Sequence, residues 1–162
     1  MIDVRFCPRC GSAVEPALRY GILRPCCPAC GFVHFANPRV AVAVFVPDGE
    51  RILLVKRGIP PEKGRWALAA GFVEHGEPPE AAARREVLEE TGLAVTILGL
   101  LDLCYNEADK VIVILYRARA EGGTLAAGDD VEEARWFSRA DLPDLAFEST
   151  RRAVAGWLEG PA

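Results

Sequence analysis

The stretch GFVEHGEPPEAAARREVLEETGL, residues 71–93, places a glycine-bounded loop ahead of a segment that closes on three glutamates. Pro78 and Pro79 stand where a helix begins, because first-turn N–H groups have no intrahelical acceptor and a missing donor costs nothing there. Helix formers fill the body and Gly92 supplies a left-handed stop, so a helix is expected over residues 78–91. At about 100° per residue, Glu86, Glu89 and Glu90 project within one sector of that helix. Three carboxylates near a helix C-terminus repel one another and oppose the helix dipole, which makes them locally unfavourable as a plain solvated face. A divalent cation removes the conflict. Hard oxygen ligands suit Mg²⁺ (or Mn²⁺), an ion that keeps waters and also binds substrate phosphates. Arg85 can hold Glu89 through an i,i+4 pair.

Gly71, Glu77, Arg85, Glu86, Val87, Glu89, Glu90, Gly92 and Leu93 fill every defined position of the Nudix box with no insertion, and the segment resembles that motif. A match of this length is far more specific than a lone glycine motif. The resemblance implies an α/β fold, the Nudix α/β/α sandwich with a mixed β-sheet. It also implies Mg²⁺-dependent hydrolysis of a nucleoside diphosphate linked to another moiety. In that reading Glu86, Glu89 and Glu90 bind the divalent ions, and the carbonyl of Ala70 joins them. Water attacks one phosphorus while the metals neutralise the charge gathering on phosphate oxygens and leaving group. The expected catalytic set is Glu86, Arg85 and Glu89, with Glu89 the candidate proton acceptor and Glu133 the distal alternative.

Outward from the box, residues 39–46 and 51–56 are β-branched runs joined by Pro47-Asp48-Gly49, which reads as a hairpin. Residues 66–73 read as a strand ending in a glycine turn, and residues 94–103, 111–119 and 134–137 as further strands. Residues 149–158 read as an amphipathic closing helix. Strands and helices mixed irregularly suggest layers around a mixed sheet.

Five of the six cysteines lie in the first 30 residues. Cys7-Pro8-Arg9-Cys10 and Cys27-Pro28-Ala29-Cys30 are each followed by a glycine, Gly11 and Gly31, and this is the spacing of a structural zinc site. Four thiolates leave no open position for substrate, so the zinc is expected to hold the segment folded and to take no part in catalysis. Cys26 is the spare, and Cys104 reads as a small core residue. The expected organisation is a zinc ribbon over residues 1–36 and a Nudix hydrolase domain over residues 37–162.

The chain carries 19 Lys and Arg against 23 Asp and Glu, a formal net charge of -4, which disfavours general binding to nucleic acid or to membranes. No apolar run has signal-peptide or membrane-spanning length, so a cytoplasmic location is expected, where thiols stay reduced and available to metal. A small-molecule nucleotide is the expected partner, and a homodimer is left open.

A wider likeness extends to most of the chain. Asn37-Pro38, Leu54-Val55-Lys56-Arg57, Gly64-Arg65-Trp66-Ala67-Leu68 and Leu145-Ala146-Phe147-Glu148-Ser149 resemble ribbon-bearing Nudix enzymes that hydrolyse ADP-ribose or FAD, releasing AMP. Ala69 departs from the proline usual before the box helix. NADH pyrophosphatases are the alternative, but residues 98–106 lack their Ser-Gln-Pro-Trp-type sequence, and the upstream signature of coenzyme A hydrolases is absent too. A nucleotide-sensing, nucleic-acid-binding regulator is the rival of another class; such proteins commonly lose box glutamates, whereas here all are present. Arg57 and Arg65 are candidates to hold phosphate oxygens. Trp66, Phe72 and Phe147, with Tyr105, are candidates to stack on a base or flavin.

Overall fold

A computed structural model describes residues 4–160. The chain forms two compact units, one within Met1–Pro38 and one within Arg39–Ala162. The first unit is built on a two-stranded antiparallel hairpin, β1 (Glu15–Arg19) and β2 (Ile22–Cys26), between two cysteine turns.

The second unit contains β3 (Arg39–Phe45), β4 (Pro47–Asp48), β5 (Arg51–Arg57), β6 (Trp66–Ala67), β7 (Ala69–Phe72), α1 (Pro79–Thr91), β8 (Leu93–Asn106), β9 (Val111–Gly123), β10 (Val131–Ser138) and α2 (Glu148–Glu159). Its strands make two sheets. One is mixed, in the order β7-β3-β9-β8, with β3 and β9 parallel and the other pairs antiparallel. The other is antiparallel, in the order β10-β5-β4, with β6 also paired to β5.

The hairpin expected between residues 39–46 and 51–56 is corrected by this topology. β3 joins the mixed sheet, and the chain changes sheets at Val46, so that only Pro47 and Asp48 pair with β5, opposite Ile52 and Arg51. The turn lies where Pro47-Asp48-Gly49 predicts it, but its arms belong to different sheets. Residues 66–73 split in the same way, β6 pairing with β5 and β7 with β3.

Both β3 and β5 are buried on two faces, which is why they are unbroken apolar runs and carry no visible alternation. Val42, Val44, Leu53 and Val55 enter one core cluster with Ala82, Ala83 and Val87 of α1. Ala43, Phe45, Ile52 and Leu54 enter a second cluster with Val154 of α2. Truncating Leu53 or Leu54 to alanine would leave a cavity costing about 2–5 kcal/mol. The strands are thus covered by a helix in each cluster, as the sandwich expectation requires. Among the described residues no helix is long and apolar enough to cross a membrane.

Candidate active site and cysteine cluster

α1 begins after Pro78 and ends at Gly92, whose φ of 70° lets its N–H reach back to the Leu88 carbonyl at 2.9 Å. Ala82, Ala83 and Val87 face the core, and the same buried sector carries Glu86 and Glu90, only 8% and 4% exposed. Glu89 lies on the exposed side of that sector. Glu86 and Glu90 therefore line the seam between the helix and β7, with Glu89 at its exposed side.

β7 shapes the other wall of the seam. The Ala70 N–H donates to Glu90 Oε2 at 3.0 Å. A Cβ built on Gly71 would lie 2.1 Å from the Glu86 carboxyl carbon, so only glycine admits this carboxylate against the strand. Expected ligand Ala70 is thus beside Glu90, through its N–H.

Arg85 gathers the carboxylates. Its Nη1 donates to Glu86 Oε1 at 2.7 Å and to Glu89 Oε2 at 3.0 Å, confirming the geometry expected of the i,i+4 pair. Its Nε and Nη2 donate to the two oxygens of Glu77, both at 2.9 Å, and Nη2 also reaches the Phe72 carbonyl at 3.1 Å. This bidentate fork holds the Glu77 carboxyl down at about 2, far below the usual carboxylate range. Glu77 is the box residue that anchors the loop to the helix.

Burial pushes Glu90 up to about 8, against the Ala70 hydrogen bond and reinforced by the charges of Glu86 and Asp130. Burial likewise raises Glu86, opposed by Arg85 and reinforced by Glu89 and Asp129. These donors are all hard oxygen, the kind a divalent cation takes, and the missing Cβ of Gly71 is what admits the Glu86 carboxylate beside the strand.

Asp129 and Asp130 were not found by sequence reasoning. They lie on the turn before β10, where Gly128 donates its N–H to the Glu90 carbonyl at 3.2 Å. A glycine followed by two acids ahead of a strand was the available signal, but it reads equally as an ordinary polar turn. Glu133 lies further on, in β10 opposite Lys56, and pairs with Arg135 at 3.4 Å. Acidic charge beside Glu86 and Glu90 comes from Asp129 and Asp130.

Next to β7 opens a cavity of about 850 Å³. Ala70 and Gly71 form part of its wall, so it abuts the strand that holds the glutamates. Arg57, Phe72 and Phe147 line it, as does Tyr105. Two guanidinium–aromatic pairs flank it, Arg57 over Phe147 at 4.9 Å and Arg39 over Phe72 at 4.4 Å. Cys104, expected as a small core residue, is buried and also contributes to the same wall.

Arg65 and Trp66, expected as substrate-binding candidates, are not among the residues that line this cavity. Trp66 is buried with its ring edge-to-face on Phe137 at 4.6 Å. Arg65 is committed to Asp144, at 2.7 and 2.9 Å, and to Glu62. Their effect is on Phe147. Trp66 accepts an N–H from Ala146 at 2.8 Å and donates to the Asp144 carbonyl at 3.1 Å, so the pair fixes the segment that presents the Phe147 ring.

In the first unit, Cys7, Cys10, Cys27 and Cys30 bring their sulfurs within 4.8 Å of one another. The two turns repeat one geometry. Cys7 and Cys27 accept from Gly11 and Gly31 at 2.9 and 3.0 Å, and both glycines have φ of 74°. The shortest sulfur pairs, 3.5 and 3.6 Å, approach the edge of about 3.8 Å that four 2.3 Å zinc–sulfur bonds would span. Hydrogen bonding from Ser12 favours the Cys10 thiolate. Cys26 turns away, its sulfur toward the Arg24 carbonyl at 3.4 Å.

Two Arg-clamped helix glutamates and a buried third lie against a glycine strand beside a nucleotide-sized cavity. Residues 37–158 match the NUDIX domain, and the chain belongs to the Nudix hydrolase family. It is 43% identical over 119 residues to an ADP-ribose pyrophosphatase of Methanocaldococcus jannaschii, covering 70% of each chain. It is 35% identical to the NAD-capped RNA hydrolase NudC of Deinococcus radiodurans, over 93% of this chain and 55% of that protein, so it spans about half the length of such relatives. The crystal structure of a NUDIX hydrolase from Nitrosomonas europaea superposes with a TM-score of 0.89 at 32% identity, covering 96% of this chain and 91% of the other.

Proposed function

We propose that this chain is a Mg²⁺-dependent diphosphatase that cleaves the diphosphate linkage of a nucleoside diphosphate derivative, ADP-ribose or FAD, releasing AMP. The observation that carries this reading is the convergence of Glu86 and Glu89 on one nitrogen of Arg85, beside buried Glu90 and against the Ala70–Gly71 wall of the cavity. The ADP-ribose pyrophosphatase relative supports the substrate class.

Glu86, Glu89 and Glu90, with Ala70 alongside, would hold the cation, and Mn²⁺ suits the same oxygens. Bound there, a divalent ion supplies charge neutralisation at the phosphate oxygens and a more acidic water. The residues do the remainder. Glu89, the exposed glutamate of the three, takes the proton of the attacking water, whose oxygen bonds to one phosphorus as the bridging P–O bond breaks. The other phosphate leaves with the bridging oxygen. Arg57 offers its guanidinium to the phosphates, while Phe72 and Phe147 hold flat rings of the substrate.

The cysteine set takes one structural zinc, a role that suits a reducing cytoplasm. The second reading is a dinucleotide such as NADH, favoured by the NAD-capped RNA hydrolases among the relatives. Comparing kcat/KM for ADP-ribose, FAD and NADH separates the two, because specificity is a ratio of these constants. A homodimer through the exposed leucines of edge strand β8, Leu98, Leu100, Leu101 and Leu103, is the assembly that fits this chain, and sedimentation tests it.

A further inference from the structure

Helix α2 opens against the usual electrostatic preference. Its N-cap, Phe147, makes no side-chain capping hydrogen bond, and two arginines, Arg151 and Arg152, stand within its first five residues, where the helix dipole disfavours cations. Arg152 has a structural account: its Nη2 meets Asp102 Oδ2 of β8 at 2.7 Å and ties the helix to the mixed sheet. Thr150, 1% exposed, ties it again, its Oγ1 accepting the Leu68 N–H at 3.3 Å. The start of α2 is therefore a fixed base.

Arg151 reaches back from that base over the preceding segment. Its Nη1 donates to the Leu145 and Ala146 carbonyls, both at 3.1 Å, and its Nε donates to Glu148 Oε2, also at 3.1 Å. Its backbone N–H donates to the Phe147 carbonyl at 3.0 Å. Each of residues 145–148 is thus bonded to this one arginine, and Phe147 sits among them with φ of -109° and ψ of 154°. Ala146 is gripped from its other side as well, its N–H donating to the Trp66 carbonyl at 2.8 Å. The bracketed ring faces the site: Phe147 lines the cavity, with the Arg57 guanidinium 4.9 Å from its centroid.

We propose that Arg151 is a positioning residue: its guanidinium, bonded to the Leu145 and Ala146 carbonyls, fixes the backbone that presents Phe147 and so holds that ring at the cavity wall, where it sets the affinity for a flat end of the substrate. The inference rests on Phe147 being a substrate contact, as in the proposed function. Arg151 acts through that ring.

The test is a cycle of Arg151→Met, Phe147→Leu and the double variant. It reads KM and kcat for ADP-ribose at saturating Mg²⁺, and the amide exchange of Ala146 by NMR in substrate-free protein. Methionine keeps the aliphatic stem of a side chain that is 46% exposed, so the fold should hold. Arg151→Met should raise KM at least fivefold with kcat within twofold, and the double variant should be no weaker than Phe147→Leu alone, since both act through one ring. Exchange at Ala146 should quicken at least tenfold while that of Leu54 in β5 stays unchanged. Wild-type KM or wild-type Ala146 exchange in Arg151→Met overturns the proposal. Additive losses in the double variant overturn it too, because Arg151 also lines the cavity and would then be meeting the substrate itself. Should Arg151→Met fail to fold, Arg151→Lys, whose nitrogen stops one bond short of Nη1, decides in its place by the same readings. If Phe147→Leu leaves KM unchanged, the ring is no substrate contact and the underlying reading fails with the proposal; if Phe147→Leu alone weakens binding, that reading stands and only the role of Arg151 is lost.

Discussion

Glu90 concentrates the residue-scale argument, because a carboxylate 4% exposed, with its pKa raised to about 8, holds a proton that the unfolded chain would release. Between the unfolded value of about 4.3 and pH 8 the folded state binds more protons, so this group's contribution to stability is complete at low pH and is lost as pH rises. Metal-free protein should therefore melt at a lower temperature at pH 8 than at pH 6, and Mg²⁺ should restore it; calorimetry at both pH values with and without Mg²⁺ checks this, and a metal-free protein that melts higher at pH 8 contradicts it. Replacing Glu89 or Glu90 with glutamine exchanges a charged oxygen donor for a nearly isosteric amide. Each should lower kcat by about 10²-fold or more with the fold intact by circular dichroism. Near-wild-type turnover in both would remove the metal assignment.

At the scale of elements, the loop before α2 is held by Arg65, whose fork on Asp144 supports the segment reaching Phe147. Asp144→Ala should loosen that ring and raise KM for the nucleotide several-fold while kcat changes little, a split that steady-state kinetics reads directly. The cysteine turns make a separate prediction. Elemental analysis should find one zinc per chain, and chelation should speed hydrogen exchange around Cys7 and Cys27 before it affects β3 or β5. The box helix and the cysteine turns were legible in the sequence because their signals are local: fixed spacings, a proline start, a glycine stop. What was illegible is long-range. Nothing in Pro47-Asp48-Gly49 says that its flanking strands part into two sheets, since both are apolar on two faces and show no alternation to compare. Trp66 stood open as a candidate to stack because its burial against Phe137, 71 positions away, has no local mark. Asp129 and Asp130 were passed over for Glu133 for the same reason: composition does not tell that the turn before β10 is hydrogen-bonded to Glu90, through Gly128.

For the whole molecule, family membership and fold rest on the domain match and on the full-length superposition. Substrate choice rests on the cavity. Its two guanidinium–aromatic pairs, Arg57 with Phe147 and Arg39 with Phe72, suit a ligand with a diphosphate between flat or ring-shaped ends. A triphosphate offers one such end only. The cavity thus disfavours nucleoside triphosphates, and NADH is expected below ADP-ribose and FAD only because residues 98–106 lack the Ser-Gln-Pro-Trp-type sequence of NADH pyrophosphatases. The most direct measurement is kcat/KM with Mg²⁺ for all four substrate types, with products identified by mass. AMP with ribose 5-phosphate, or AMP with FMN, formed at the highest kcat/KM and abolished by chelation and by Glu90→Gln, is the result predicted. Tenfold preference for NADH or a triphosphate, about 1.4 kcal/mol at the transition state, would contradict the substrate assignment. Turnover that survives metal removal would contradict the central claim.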